Sequence, residues 1–313
     1  MASTDDTGWN LYGSYSDSVT VPYTGVTEKA GSPQVALSIG GGAVHDFTID
    51  TGSLGLVVPK EDVPASLVAA GGPKGEIGYS SSGLSYAGFW TTTSVSFTDA
   101  DGSPLRDSAG NALTELLPVL VVTQSYSDGV ALDGDIGAPT QLGVGFGRAS
   151  ADKDGVPLTV ANNAFLNLPG EADGTMRPGY IIGKNSVTIG LTTADAGSGW
   201  ALGKLTPSAD TSTGVGGATN WSTPSAVITV NGKTSTGTVL VDTGLDRAQL
   251  GWPDAPAAAS VLPSGTTVIT DLLGIGNDSV SYEYKLGDGQ PQTPDGGISD
   301  GTRTTSSNTT DRL

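Results

Sequence analysis

The chain has 313 residues with 14 basic and 32 acidic side chains, a formal net charge of −18 and a pI of about 4.1. A surface this acidic repels phosphate backbones, so nucleic acid is excluded as a partner. The chain has no Cys and a single His, which also excludes disulfides, Cys nucleophiles and multi-His zinc sites.

The composition also predicts the fold class. The 47 Gly and 18 Pro, with many Ser and Thr, disfavour long helices and favour strands joined by turns. At roughly 150 residues per domain, the length predicts two domains. No apolar stretch is long enough to cross a membrane, and the first residues lack the basic and apolar regions of a signal peptide. A mature segment behind an added Met would begin in this way.

The first predicted elements form a hairpin that ends in an Asp-Thr-Gly triplet. Residues 35–39 alternate as a strand, three glycines make the turn, and residues 46–49 return directly into Asp50, Thr51 and Gly52. An apolar strand follows at residues 54–59. Residues 75–97 then predict a long hairpin, with residues 76–79 as one arm and residues 86–97 as the other.

The middle of the chain continues this pattern. A turn is predicted at residues 99–102, an apolar strand at 116–122 and a Gly-spaced apolar run at 142–147. The one predicted helix is short and lies around residues 157–168. Residues 192–224 are dominated by Thr, Ser, Gly and Ala, and predict either a connection between two lobes or a surface loop. Residues 287–313 predict a polar loop or tail.

The hairpin and its triplet occur a second time, which predicts a duplicated fold. Residues 226–230 are a strand, Asn231-Gly232 a hairpin turn, and residues 238–241 a return strand that leads into Asp242, Thr243 and Gly244. The two triplets lie 192 residues apart, about the size of one domain. We therefore expect each half to bring one carboxylate to a shared site.

Two carboxylates held close together can perform hydrolysis. They cannot both ionise cheaply, so they share one proton, a coupling for which the aspartic-peptidase dyad is the standard example. The ionised group can then take a proton from water while the protonated group binds the substrate carbonyl. The Thr hydroxyls can anchor the two loops, and the glycines allow backbone N–H groups to approach the carboxylates. The single His, His45, is predicted to be a solvated turn residue, so hydrolysis would depend on the carboxylates.

The chain resembles the pepsin-type aspartic peptidases. The similarity is specific at residues 47–59 and 238–244, which contain the two triplets. Residues 143–148 resemble the apolar-apolar-Gly element that crosses the catalytic loop in this family. The resemblance implies an all-β, bilobed pepsin-like fold with a central cleft and few short helices. Its N-terminal lobe would span residues 1–191 and its C-terminal lobe residues 192–313.

The resemblance also implies roles for individual residues. Asp50 and Asp242 would be the catalytic pair, and Ser53 would donate a hydrogen bond to the outer oxygen of Asp50. The hairpin at residues 75–97 would be a flap over the substrate. Other residues would belong to the same site: Thr51, Gly52, Thr243 and Gly244 as supporting residues, and Tyr79, Ser82 and Gly83 in the flap, with Tyr86 as the alternative flap tyrosine.

The implied activity is that of an aspartic endopeptidase acting at acidic pH. It would need no metal or other cofactor and would take a peptide or protein as substrate. No nucleic-acid or membrane partner is predicted, and we expect a monomer in a secreted or periplasmic location.

Three departures from the family weaken the prediction of activity. Leu245 stands where a Ser or Thr follows the second triplet, and Val57 stands where the family usually has Trp. Only 71 residues follow Asp242, whereas the crossing element comes 94 residues after Asp50. The second lobe is therefore expected to be smaller or to lack its last core strands, with Leu272-Leu273 interpreted as a strand preceding a flap counterpart.

These departures keep two alternatives open. One is a catalytically inactive pepsin-like binding or inhibitor-like module. The other is a β-rich surface or adhesin module in which both triplets are turn residues.

Overall fold

The computed structural model describes residues 13–26, 31–79, 82–132, 140–145, 150–151, 157–195, 205, 222–245, 249–251, 260–261, 263–273, 279–285 and 303–305. Up to residue 195 the strands are β1 (Val19–Pro22), β2 (Gly25–Val26), β3 (Pro33–Ile39), β4 (Val44–Asp50), β5 (Leu54–Pro59), β6 (Lys74–Tyr79), β7 (Leu84–Thr98), β8 (Thr114–Ser127), β9 (Val130–Ala131), β10 (Gln141–Val144), β11 (Ser150–Ala151), β12 (Pro157–Leu158), β13 (Arg177–Ile182) and β14 (Ser186–Leu191). After residue 222 they are β15 (Ser225–Val230), β16 (Lys233–Thr238), β17 (Gln249–Gly251), β18 (Ser260–Val261), β19 (Thr267–Leu273), β20 (Ser279–Lys285) and β21 (Arg303–Thr305).

Helices are a minor part of this fold. The described residues contain two short α-helices, α1 (Ala65–Ala70) and α2 (Pro169–Ala172), and two 3₁₀ turns at Lys60–Asp62 and Val160–Asn162. Within the described ranges, no helix combines the length and the apolarity needed to cross a bilayer. The predicted all-β class is confirmed.

The largest sheet places the first triplet at its centre. Its strand order is β2-β3-β4-β10-β5-β8-β7-β6. β10 lies between β4 and β5, parallel to the first and antiparallel to the second. The chain therefore leaves β4 at Asp50, passes the end of β10 and returns on its other side as β5. This geometry makes the Asp50 loop a tight connection across a neighbouring strand.

A glycine allows that close crossing. Gly143 of β10 lies opposite Asp50 on one side and Gly55 on the other. A Cβ atom on Gly143 would lie 2.7 Å from the backbone carbon of Leu54, closer than real Cβ contacts come. The Gly145 N–H also donates to the Ser53 carbonyl at 2.8 Å, which ties the end of β10 to the loop. Residues 146–149 of the predicted Gly-spaced run lie outside the described residues.

The strands predicted around the first triplet are confirmed, including the hairpin of β3 and β4, strand β5 and the long hairpin of β6 and β7. The core beneath them is apolar and well packed. Phe47, Phe97 and Phe165 are fully buried in its main cluster. The Phe165 ring also packs edge-on against Tyr180, with centroids 5.2 Å apart.

The helix predicted around residues 157–168 is wrong. This segment begins as β12, makes one 3₁₀ turn and continues without regular structure. Asn side chains compete with the helix for backbone groups here. Asn163 Nδ2 donates to the Val144 carbonyl at 2.8 Å, and Asn167 Nδ2 donates to the carbonyl groups of Val160 and Asn163 at 2.8 and 2.7 Å. The side chains thus fasten the segment to β10 and to itself.

The second triplet follows a smaller sheet, with the order β16-β15-β19-β20. The turn at Asn231 and Gly232 has positive φ angles of 48° and 78°, as a two-residue hairpin turn requires. So short a turn forces the return strand to begin at Lys233, and β16 therefore ends at Thr238, where the prediction began it. The predicted return strand at residues 238–241 is wrong in its bounds.

The strand pairings repeat the first half of the fold. β15 pairs with β16 and β19 in the way that β3 pairs with β4 and β7. β17 pairs with β21 in parallel, as β5 pairs with β8. Leu272 and Leu273 lie in a strand, β19, which pairs with β15 as the end of β7 pairs with β3. The interpretation of this strand as preceding a flap counterpart stays a prediction. Among the described residues, no strand takes the place of β10 in the second half.

The predicted division between lobes at residue 191 stays a prediction. β1 pairs with β14, which ends at Leu191. Most of the predicted connection and of the predicted polar tail lies outside the described residues.

Candidate active site

The two triplets contact each other through their threonines. The Thr51 N–H donates to Thr243 Oγ1 at 3.2 Å, and the Thr243 N–H donates to Thr51 Oγ1 at 3.0 Å. Each hydroxyl in turn donates to a carbonyl of the other half, Thr51 to Val241 at 2.5 Å and Thr243 to Ile49 at 2.7 Å. The two loops are therefore fastened by four hydrogen bonds in two matching pairs.

The two glycines let the carboxylates converge. A Cβ atom on Gly52 would lie 2.1 Å from Asp242 Oδ2, and a Cβ atom on Gly244 would lie 2.7 Å from Asp50 Oδ1. Each glycine thus lies directly against the carboxylate of the opposite triplet. Any larger residue would push that carboxylate away, so the site needs glycine at both positions.

The Asp50 carboxylate is held by three donors. The Gly52 N–H donates to Oδ1 at 2.7 Å, and the Ser53 hydroxyl donates to Oδ2 at 2.6 Å, the contact expected from the resemblance. Gln141 Nε2 of β10 also donates to Oδ2. Asp50 is only 4% exposed, so these bonds compensate for lost water. The carboxylate is fixed in both position and orientation.

Asp242 has a different environment. The Gly244 N–H donates to its Oδ1 at 2.9 Å, which repeats the contact between Gly52 and Asp50. Leu245 stands at the position of Ser53 and has no hydroxyl to donate. The two carboxylates are therefore similar in placement, but only Asp50 has a hydroxyl donor at the position that follows its triplet.

Tyr79 of β6 faces the Asp50 carboxylate. Its hydroxyl is buried, and burial, followed by the negative charge of Asp50, raises the pKa of this phenol far above its ordinary value. The nearby Ser53 hydroxyl works against that rise in the pKa of Tyr79. The Ser53 hydroxyl itself donates to Asp50, and among the described residues the phenol oxygen of Tyr79 has no hydrogen-bond partner. A buried polar group without a partner beside the dyad is free to bind a substrate group.

Tyr86, the alternative flap tyrosine, lies behind Tyr79. The two rings pack edge-on with centroids 5.8 Å apart. Tyr86 is buried in an apolar cluster with Val57 and Trp90, and burial raises the pKa of its phenol. The structure therefore brings Tyr79, rather than Tyr86, to the carboxylates, while Val57 fills a place in the cluster behind them.

Ser82 and Gly83 form the described part of the turn between β6 and β7. The backbone N–H groups of both donate to the Tyr79 carbonyl, at 3.2 and 3.0 Å. Gly83 has a φ of +72°, and a Cβ atom there would lie 2.4 Å from Asp128 Oδ1. These contacts shape the hairpin tip, and residues 80 and 81 lie outside the described residues.

His45 lies apart from the triplets at the other end of β4. It is partly exposed, and its Nδ1 lies 3.6 Å from the Asp62 carboxylate. Within the described part of the chain, no three His, Cys, Asp or Glu side chains converge in a way that could hold a metal ion.

Comparison with known proteins agrees with this geometry. A sequence profile of the PE-PGRS C-terminal aspartyl peptidase-like domain matches residues 19–174, which include the first triplet, the long hairpin and β10. No curated protein matches the chain in sequence. The structure is similar to that of an aspartic proteinase from Irpex lacteus, with a TM-score of 0.51 and 15% identity over 94% of this chain and 89% of that one. The fold is that of a divergent pepsin-type aspartic peptidase.

One residue of the site, Gln141, was missed by sequence reasoning. Gln141 precedes the Gly-spaced run that identified β10, and nothing in its own sequence neighbourhood indicates a link to Asp50. The contact depends on β10 lying next to β4, a pairing between segments 91 residues apart. Only the strand order of the pepsin-type sheet could have revealed it.

Proposed function

We propose that the chain is an aspartic endopeptidase that hydrolyses peptide bonds with a water held between Asp50 and Asp242. The observation that carries this proposal is the convergence of the carboxylates, each against the glycine of the opposite triplet. Turn residues in unrelated positions would have no reason to meet in this way. The same convergence argues against the adhesin alternative.

The hydrogen bonds support an order of steps. Asp50 accepts donors that favour its ionised form, so it takes a proton from the water while the water oxygen bonds to the peptide carbonyl carbon. Asp242, the protonated partner, donates to the carbonyl oxygen and gives a tetrahedral diol. A proton then passes to the amide nitrogen, the C–N bond breaks, and the products are a carboxylic acid and an amine.

The hairpin of β6 and β7 is the proposed flap. It places Tyr79 beside Asp50, with a phenol hydroxyl that is available for hydrogen bonding, and its turn at Ser82 and Gly83 would cover an extended peptide. Because the pair must keep one proton, we propose that activity is greatest at acidic pH. A monomer in a secreted or periplasmic compartment remains part of this proposal.

The test is cleavage of a denatured protein between pH 3 and pH 7. We expect cleavage by the wild type that is lost in Asp50→Asn and in Asp242→Asn. Asp46→Asn is the matched control, because Asp46 is an exposed residue of the same strand, β4. Activity that persists unchanged in both site variants would refute the proposal.

A second candidate is a pepsin-like module that binds peptides without cleaving them. Leu245 favours it, because Asp242 lacks the hydroxyl that Ser53 gives to Asp50. A peptide that carries a hydroxyl in place of the scissile carbonyl mimics the tetrahedral intermediate. Tight binding of that mimic with no turnover at any pH would support this second candidate.

A further inference from the structure

The neutral side chain of Gln141 lies next to a carboxylate of the proposed dyad. Its amide donates to Asp50 Oδ2, the same oxygen that accepts the Ser53 hydroxyl. Elsewhere in the structure, the amide of Gln124 bonds to the backbone carbonyl groups of Ser125 and Leu132 at 2.9 and 3.0 Å. The Gln141 amide is instead directed at a buried carboxylate of the proposed dyad.

The sheet register explains how the amide reaches Asp50. Gln141 of β10 lies directly opposite Thr48 of β4, and side chains opposite each other on neighbouring strands share a face. Thr48 and Asp50 are two residues apart on β4, so they share that face as well.

The next position along this face of β10 is Gly143, which lies opposite Asp50. At Gly143 the backbone of Leu54 and Gly55 crosses within 2.8 Å of where a Cβ atom would lie, so no side chain fits there. The Gln141 side chain, one position earlier on the same face, supplies the amide that reaches the Asp50 carboxylate.

We propose that Gln141 is a positioning residue of the peptidase: its amide holds the Asp50 carboxylate in orientation and, with Ser53, favours the ionised form that accepts the proton of water. This inference rests on the proposed function. A donated hydrogen bond stabilises a carboxylate more than the neutral acid.

The titratable groups described around Asp50 leave its negative charge without a cationic partner, so the Gln141 amide is an important donor to it. Among the described residues, the titratable groups that face this carboxylate are Asp242 from the opposite triplet and the Tyr79 phenol from β6. Neither supplies a positive charge. Asp242 has Leu245 in the place of Ser53, and no described strand takes the place of β10 beside it. Gln141 therefore adds a second side-chain donor, after Ser53, to Asp50, the carboxylate that we propose as the base.

The test compares Gln141→Met with Gln124→Met. Met keeps the length of the side chain and removes the N–H donor, and Gln124 serves as the control because its amide bonds only to backbone carbonyl groups away from the dyad. In Gln141→Met we expect the acidic limb of the kcat/KM profile to move up by about one pH unit, the effect of losing one hydrogen bond to a charged group. At pH values below the wild-type optimum we expect kcat of this variant to be about tenfold lower than that of the wild type, with little change in KM. The control profile should match the wild type.

A second variant, Gln141→Glu, separates positioning from packing. Glu has nearly the same shape and can donate only while it is protonated. Activity should therefore be largely kept near pH 3 and lost steeply as the new carboxyl ionises beside Asp50. Wild-type pH profiles in both Gln141 variants would overturn the inference.

Carbon-13 NMR titration of the Asp side-chain carboxyls decides the same question without turnover. We expect the Asp50 resonance to titrate at a higher pH in Gln141→Met than in the wild type, and to be unchanged in Gln124→Met. Identical titration in all three proteins overturns the role of Gln141. If the wild type cleaves no substrate but this shift is present, the proposed function fails while the role of Gln141 in holding Asp50 stands.

Discussion

The first half of the fold contains two buried carboxyl groups that make its stability depend on pH. Glu115 of β8 is 6% exposed and Glu171 of α2 is 0% exposed. Glu171 Oε2 accepts the Leu168 N–H at 2.9 Å, but its other oxygen and both oxygens of Glu115 have no hydrogen-bond partner among the described residues. Burial raises the pKa of Glu171 to about 8, and burial together with nearby Glu171 raises the pKa of Glu115 well above its ordinary value.

The direction of the pH effect follows from proton binding. In the unfolded chain Glu171 ionises near its ordinary pKa of 4.5, whereas in the folded protein it keeps its proton up to about pH 8. Between these values the unfolded state binds fewer protons, so the free energy of unfolding decreases as the pH rises. The stabilisation is fully present below about pH 4.5 and is lost by about pH 8. At 1.36 kcal/mol per pH unit, Glu171 alone accounts for at most roughly 4–5 kcal/mol.

Glu171→Gln tests this prediction. Glutamine has no charge to bury, and its carbonyl oxygen can still accept the Leu168 N–H. We expect urea unfolding at pH 4.5, 6 and 7.5 to show that the free energy of unfolding of the wild type decreases steeply as the pH rises. In the variant the decrease over the same range should be smaller by several kcal/mol. Glu283→Gln is the control, because Glu283 is exposed on β20.

The reasoning fails if Glu171→Gln loses stability with pH as steeply as the wild type does. It also fails if Glu283→Gln flattens the dependence equally, because the effect would then come from overall charge and not from burial.

Three further predictions concern the proposed site. Gly52→Ala should abolish cleavage and lower the free energy of unfolding by about 1–3 kcal/mol, because the added methyl group clashes with Asp242. In the control, Gly237→Ala, the added methyl group meets no atom within 4 Å, so peptide turnover and thermal unfolding should both stay as in the wild type. Thr51→Val and Thr243→Val should each lower the free energy of unfolding by about 1–3 kcal/mol. In denaturant unfolding the double variant should lose less than the sum of the two, because each substitution already breaks the reciprocal hydrogen bonds between the two threonines, and strict additivity would contradict this. Tyr79→Phe should leave thermal stability nearly unchanged, since the hydroxyl has no described hydrogen-bond partner, but it should raise KM for a peptide substrate. A large loss of stability would show that the hydroxyl does form a hydrogen bond within the folded protein.

Local patterns were sufficient for the elements around the first triplet. Alternation, glycine turns and the apolar run at β5 predicted those strands because each signal lies within a few residues. The prediction that the two carboxylates would share a site rested on the repeat, and the exchange between Thr51 and Thr243 shows how the repeat brings them together.

The remaining features depend on contacts between distant segments. The predicted helix was wrong because Asn163 and Asn167 bind backbone carbonyl groups that sequence pattern alone does not identify. The return strand was misplaced because turn geometry, rather than apolar character, sets where β16 begins. The bond from Gln141 to Asp50 requires knowing that β10 lies beside β4.

The reciprocal bonds between Thr51 and Thr243 have a consequence for how the protein matures. Each hydroxyl donates to a backbone carbonyl that the other half supplies, so a chain in which only the first half has folded presents Asp50 without its partner and with its loop unanchored. Under the proposed function, such a folding intermediate could not cleave its neighbours. Peptidase activity would then appear in one step, when the second half docks. The activity of a preparation would be proportional to the number of molecules in which both halves have folded together.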